Sequence, residues 1–217
     1  MGTIKEMKKL LLLIIIIFIN FKSIGQSSFE GAIKFSTKIT TSELAPKGFH
    51  KKLTDKYGDS LLMYYSKNGD FKRVYLNSAE FGNDSQIYVA KKGKLFITKK
   101  KNAQIDSLDT RENSIVLVSS GKVESESIMG LKSECYQYKA ISTYKQNVTL
   151  NYCFSSKSPK VNHQLYSKHN DFYLNDYYKI SERPYLKFSI ETDAFKITYT
   201  ATELIEKKIE KEKFKIK

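Results

Sequence analysis

Along most of this chain hydrophobic and polar residues alternate one for one, the period of a strand with one buried face. In Phe29–Thr41 (FEGAIKFSTKITT), Ile33 and Phe35 share one face and Ala32 and Lys34 the other, which predicts a first strand. Residues 42–58 carry Pro46, Gly48 and Gly58 and read as a loop with room for a short helix. The run SLLMYYSKNGDFKRVYLNS follows, and its Asn68-Gly69 offers the positive-φ pair of a two-residue type I′ hairpin turn. About that turn Tyr65 is expected opposite Lys72, Met63 opposite Val74 and Leu61 opposite Leu76, with Tyr64–Arg73 and Leu62–Tyr75 on the other face.

A second hairpin, QIYVAKKGKLFITKK, turns near Lys92-Gly93. Ile115–Val118 is a short apolar run expected to end in a turn at Gly121. Residues 122–141 and 147–155 give more strand signal, with a break at Gly130. From Val161 to Lys179 the alternation fails, and Val161, Leu165, Phe172 and Tyr173 approximate helical spacing. After Pro184, PYLKFSIE and AFKITYTATEL form a hairpin through Thr192-Asp193. The final IEKKIEKEKFKIK fits a helix through Ile205 and Ile209, or a strand through Phe214 and Ile216.

Hairpin after hairpin with one main helix predicts a mainly β (α+β) fold built on an antiparallel sheet. So many strands in one domain imply a curved sheet or incomplete β-barrel, with one or two helices packed on its concave face. No internal repeat or low-complexity linker divides the chain.

The first residues, MGTIKEMKKLLLLIIIIFINFKSIGQSS, break the alternation altogether. Lys5, Lys8 and Lys9 precede an unbroken apolar run from Leu10 to Ile19, and Ser23-Ile24-Gly25 supplies small or neutral residues before Gln26. That is the order of a secretory signal peptide, with cleavage expected between Gly25 and Gln26. A transmembrane anchor would need about 20 apolar residues, and Asn20 and Lys22 interrupt this run well short of that. The chain therefore divides into a signal peptide, residues 1–25, and a single β-rich domain, residues 26–217. No cysteine stands immediately after the cleavage point to carry a lipid, and no later stretch is long and apolar enough to span a membrane.

Export changes the meaning of the charge. The signal segment holds Lys5, Lys8, Lys9 and Lys22 against Glu6, so about +11 of the formal +14 stays with the mature domain. In a cytosolic protein such basicity would raise nucleic acid as a partner. In an exported one it points to anionic lipid headgroups, acidic polysaccharide or acidic proteins. The lysines are scattered, densest at Lys99-Lys100-Lys101, as on a solvated surface.

Only two cysteines occur, Cys135 and Cys153. If ECYQYKAI and VTLNYCF pair as a hairpin centred near Tyr144, Cys135 falls opposite Cys153. Tyr136 then faces Tyr152, Tyr138 faces Leu150 and Ala140 faces Val148, with Gln137/Asn151 and Lys139/Thr149 on the polar face. The register stands on alternation alone, and an oxidising compartment permits a cross-strand disulfide. The alternative is two unpaired thiols; without a CxxC, thiol redox catalysis is not expected.

Catalytic signatures are missing. His50, His163 and His169 are the only histidines, and the last two, six apart, would lie on different faces of a helix, a poor metal pair. There is no HExxH, GxSxG or glycine-rich phosphate loop. Carboxylates such as Asp106/Asp109 and Glu203/Glu206/Glu210 sit among lysines, as surface groups do. No enzyme activity, cofactor or metal is expected.

Four segments occur in a telling order: FEGAIKFSTKI, YYSKNGDFKRVY, ESIMGLKSECYQYKA, and ERPYLKF followed by YTATELIEKKI. Together, with Ile128, Gly130 and Tyr136 or Tyr138 as the diagnostic core, they resemble the exported DUF4412-type proteins of Gram-negative bacteria, chiefly Bacteroidetes. The resemblance to GLPGLI-type proteins is more distant, since the literal GLPGLI string and the tryptophans are missing. It implies a periplasmic or outer-membrane-associated setting and, further out, a lipoprotein-carrier (LolA-like) half-barrel able to hold acyl chains. The function this implies is a non-enzymatic envelope protein binding a lipid, a lipoprotein acyl chain or another hydrophobic ligand. The aromatic strand residues Tyr64, Tyr75, Tyr88, Phe96, Tyr136, Tyr138, Phe188 and Tyr199 are its candidate ligand contacts. The alternative is an envelope interaction protein that binds another protein or an anionic polysaccharide through its basic surface.

Overall fold

The computed structural model describes residues 28–101 and 105–216. The expected signal peptide and its cleavage point at Gly25–Gln26 lie outside these residues. Within them eleven strands form in chain order. They are β1 (Gly31–Thr41), β2 (Ser60–Tyr65), β3 (Phe71–Leu76), β4 (Asn83–Val89), β5 (Lys94–Lys99) and β6 (Ile105–Asp109), then β7 (Ile115–Ile128), β8 (Leu131–Ser142), β9 (Asn147–Phe154), β10 (Lys187–Thr192) and β11 (Phe195–Glu206). Helix α1 (Phe49–Tyr57) lies between β1 and β2, and α2 (Leu174–Ser181) lies between β9 and β10.

All eleven strands join one open sheet in the order β6-β5-β4-β3-β2-β1-β11-β10-β9-β8-β7, and every pairing is antiparallel. The two edge strands, β6 and β7, are consecutive in the chain. A flat sheet of this width would hold them about 48 Å apart, whereas the Thr110–Ser114 link reaches roughly 20 Å at full stretch. The sheet therefore rolls back toward itself without closing. The link is tied to the segment after β9: the backbone N–H groups of Asn170 and Asp171 both donate to the Thr110 carbonyl, at 2.7 and 3.2 Å. The Thr110 hydroxyl donates to the Lys168 carbonyl at 2.9 Å and the Asn170 amide to the Arg111 carbonyl at 2.7 Å.

Those bonds explain why Val161–Lys179 is not the single helix its spacing predicts. The segment breaks into 3-10 turns at His163–Tyr166 and Asp171–Tyr173 before α2 begins. Phe172 and Tyr173 adopt left-handed φ values of 53° and 56°. Backbone donors that a helix would use internally serve Thr110 instead. Helix α2 packs on the sheet face that carries Tyr65 and Tyr152. Tyr177 stacks on Tyr152 with ring centroids 4.7 Å apart, and the Tyr178 hydroxyl donates to that of Tyr65 at 3.2 Å. Ile33, Phe35, Leu61, Met63, Phe71, Tyr88, Leu150 and Ile197 complete this core.

The first hairpin differs from its expected register. The Ser66 N–H donates to the Asp70 carbonyl and the Gly69 N–H to the Ser66 carbonyl, which makes Lys67-Asn68-Gly69 a three-residue loop. Such a loop is a type I turn completed by a left-handed residue, here Gly69 at φ 87°. The pairs become Tyr65–Phe71, Met63–Arg73 and Leu61–Tyr75. A slip of one residue turns every β3 side chain to the opposite face. Phe71 and Tyr75 thus join the core, and Arg73 goes in with them.

Two further expectations are corrected. Gly121 is no turn, because β7 runs through it, paired with Gln137 of β8; the ladder overrides local turn propensity. The last segment is neither a long helix nor a strand, since β11 ends at Glu206 and a 3-10 turn follows at Lys211–Phe214. The break at Gly130 is borne out as the β7–β8 turn, with Met129 and Gly130 both at positive φ. The β8–β9 register is also as expected, from Cys135–Cys153 to Ala140–Val148.

Candidate functional site

Alternation on the inward face of the sheet leaves space that the core does not fill. A cavity of about 400 Å³ lies there, lined from β2, β3, β4, β5, β6, β9, β10, β11 and both helices. Its walls are largely aliphatic and aromatic: Leu61, Tyr75, Leu95, Ile97, Tyr152, Phe188, Ile190, Ile197 and Tyr199. Exposed Lys56, Lys99, Asp106 and Leu108 mark its rim. Strands β6 and β9, eight places apart in the sheet order, both contribute to this one space.

Its polar groups gather around Arg73. One Nη donates to Gln86 Oε1 and the other to the Tyr185 hydroxyl, both at 3.2 Å. The guanidinium carbon lies 5.0 Å from the Phe71 ring centroid. Among the described residues no carboxylate forms an ion pair with Arg73. His169 is 3% exposed, and neither ring nitrogen has a hydrogen-bond partner among these residues. Its burial, with the Arg73 charge second, pushes the imidazole pKa down to about 3, so it is neutral at ordinary pH. Asp171 also lines the cavity; its carboxylate accepts from the Ser114 hydroxyl at 3.1 Å. Burial raises the Asp171 pKa, opposed by that hydrogen bond and by the more distant Arg73 charge.

Of the eight aromatic residues singled out in the sequence, Tyr75, Phe188 and Tyr199 line the cavity. Tyr88 stands beside it, stacked on Phe71 at 5.1 Å and 4.6 Å from the His169 ring. Tyr138 stacks on Tyr173 and Tyr136 on Phe154, away from the lining. Tyr64 and Phe96 alternate onto the outward face, where Lys213 and Lys92 lie over their rings. Sequence reasoning missed Arg73, Gln86, His169 and Asp171. One signal existed: Arg73 is one of only three arginines among thirty-seven basic residues, and it sits inside an aromatic strand.

On the outward face Cys135 and Cys153 form a disulfide, joining β8 to β9. Glu126 and Lys187, paired at 2.6 Å, lie alongside it. The sulfurs and the Glu126 carboxylate are close enough together to suggest a metal cluster. Both sulfurs are consumed in the S–S bond, however, and metal ligation requires thiolate. Compared with known proteins, the chain matches no protein-family model and no curated protein.

Proposed function

We propose that this is an exported, non-enzymatic protein of the cell envelope that holds a hydrophobic ligand on the inner side of its rolled sheet. The observation that carries the reading is the cavity of about 400 Å³, within the range of small-molecule sites, with mostly apolar walls and a few convergent polar groups. The sheet then acts as a half-barrel, and α2 with the Asn162–Tyr173 segment covers its concave side. The resemblance to exported DUF4412-type proteins, and through them to lipoprotein carriers, supports the same reading by analogy of architecture. Export agrees with an oxidised Cys135–Cys153 pair.

The test uses N-phenyl-1-naphthylamine, a neutral dye that brightens in apolar sites. The protein should enhance its emission saturably, and Ile190→Trp, which fills the cavity from β10, should abolish the enhancement while leaving the melting transition cooperative. No saturable enhancement, or an unchanged response in Ile190→Trp, refutes the reading.

A second reading, an envelope interaction protein, is favoured by edge strand β7. Val116 and Val118 there are 70% and 63% exposed, on a strand with no neighbour on its outer side among the described residues. Bare edges of this kind recruit a further strand.

A further inference from the structure

We propose that the ligand is a single-chain amphiphile with one carboxylate head, and that Arg73 is the group that holds the head. This deepens the cavity reading above and rests on it.

A guanidinium remains charged at any pH a folded protein meets, and holding it half-buried with no counter-charge is costly. Arg73 meets only neutral acceptors, Gln86 and Tyr185. They take two of its five N–H groups, which leaves Nε–H and one hydrogen on each Nη for something else. The second observation is independent of the first. His169 is buried, neutral and without a hydrogen-bond partner at either ring nitrogen, and it lines the same cavity. Both groups pack against one ring: the Arg73 guanidinium carbon and the His169 imidazole centroid lie 5.0 and 5.7 Å from the centroid of Phe71.

One planar cation without a counter-charge, sharing a cavity with a neutral N–H donor that feels its charge, matches a carboxylate. The fork of the guanidinium takes its two oxygens side by side, and the imidazole N–H adds a third bond. A doubly charged head is disfavoured, because Asp171 already brings one carboxyl to the same space. The tail has apolar wall to lie against, since Tyr75, Leu95, Ile97, Phe188, Ile197 and Tyr199 line the same cavity.

The experiment titrates dodecanoate and its uncharged methyl ester against dye-loaded full chain at pH 8. It then repeats both titrations with Arg73→Gln and Arg73→Lys. The expected result is that the acid displaces dye at about tenfold or more lower concentration than the ester, the size of one charge-assisted bidentate contact. Arg73→Gln should bind the ester within about threefold of the parent and lose the preference for acid; Arg73→Lys should keep part of it. Equal affinity of the parent for acid and ester overturns this proposal and leaves the cavity reading intact. So does a preference that survives in Arg73→Gln. If neither compound displaces dye, or no dye binds, the cavity reading itself fails and takes this proposal with it. The acid–ester comparison in the parent needs no variant, so a poorly folding Arg73→Gln does not blunt the test.

Discussion

Cutting the bond between Cys135 and Cys153 tests how much of this domain depends on a covalent tie between two strands. The cysteines are 18 residues apart in the chain. Closing a loop of that length in the unfolded chain removes entropy worth about 3 kcal/mol at 25 °C. A domain of this size loses roughly 2–4 °C of melting temperature per kcal/mol, so Cys135→Ala/Cys153→Ala should melt about 6–12 °C lower. The native fold should survive, because seven further residue pairs hold β8 to β9 and β10 flanks β9 on its other side. The assay is thermal and urea unfolding of the parent, the double variant, and the parent refolded under reductant. If chain entropy is the source, the last two should agree within about 1 kcal/mol. A loss under about 1 kcal/mol in both would refute the reasoning, because it would mean the β8–β9 hairpin stays closed in the unfolded chain without the bond. Cys135 and Cys153 are 2% and 1% exposed, so reductant alone should leave the folded protein oxidised for as long as it stays folded.

Other outcomes follow from single groups. His169 has a folded-state pKa near 3 against an ordinary 6.5. Below pH 6.5 the unfolded chain therefore takes up a proton that the folded one refuses, and stability falls as pH drops toward 3. Between pH 6.5 and 5 this amounts to roughly 2 kcal/mol, and His169→Gln should flatten the urea midpoint over that interval; an unchanged slope would place the titration elsewhere. Gly69→Ala should cost about 2 kcal/mol or more, because φ is +87° and the new methyl would meet Leu165 Cβ at 2.6 Å. Equal urea midpoints for the variant and the parent would contradict the loop assignment. Val116→Lys/Val118→Lys should slow concentration-dependent association in light scattering while leaving the melting temperature within about 2 °C. Unchanged association would mean that edge β7 is not the sticky surface.

How much of this was legible in the sequence depends on the range of the deciding interaction. The β8–β9 ladder could be read residue by residue, since strict alternation on both arms admits one register and the cysteines fall into it. The β2–β3 ladder could not. Asn68-Gly69 serves a two-residue and a three-residue loop equally well, and the loop observed is also fixed from outside by the Asp70 carboxylate accepting from the Ala90 N–H at 2.9 Å. That one-residue ambiguity hid the candidate site, because it decides whether Arg73 faces solvent or the cavity. The break of the helix at Phe172–Tyr173 was hidden for a related reason: the carbonyl that captures its donors is Thr110, some sixty residues earlier. Aromatic strands announced a large apolar interior, but which rings line a cavity follows from the order of the strands, which no local pattern carries.

That order holds one last consequence, for how the molecule assembles. Apart from β1 and β11, every pair of sheet neighbours is consecutive in the chain. The central seam joins residues as distant as Gly31 and Glu206, so each half can assemble from strands that follow one another in the chain while the seam must wait for a search across the whole domain. The Lys207 N–H already donates to the Glu30 carbonyl, so a short linker could join β11 to β1. A new opening within Thr110–Ser114 would then turn the fold into a plain up-and-down succession of eleven strands. Such a circular permutant keeps the same contacts at far shorter separations, and with that lower contact order it should fold faster than the natural chain.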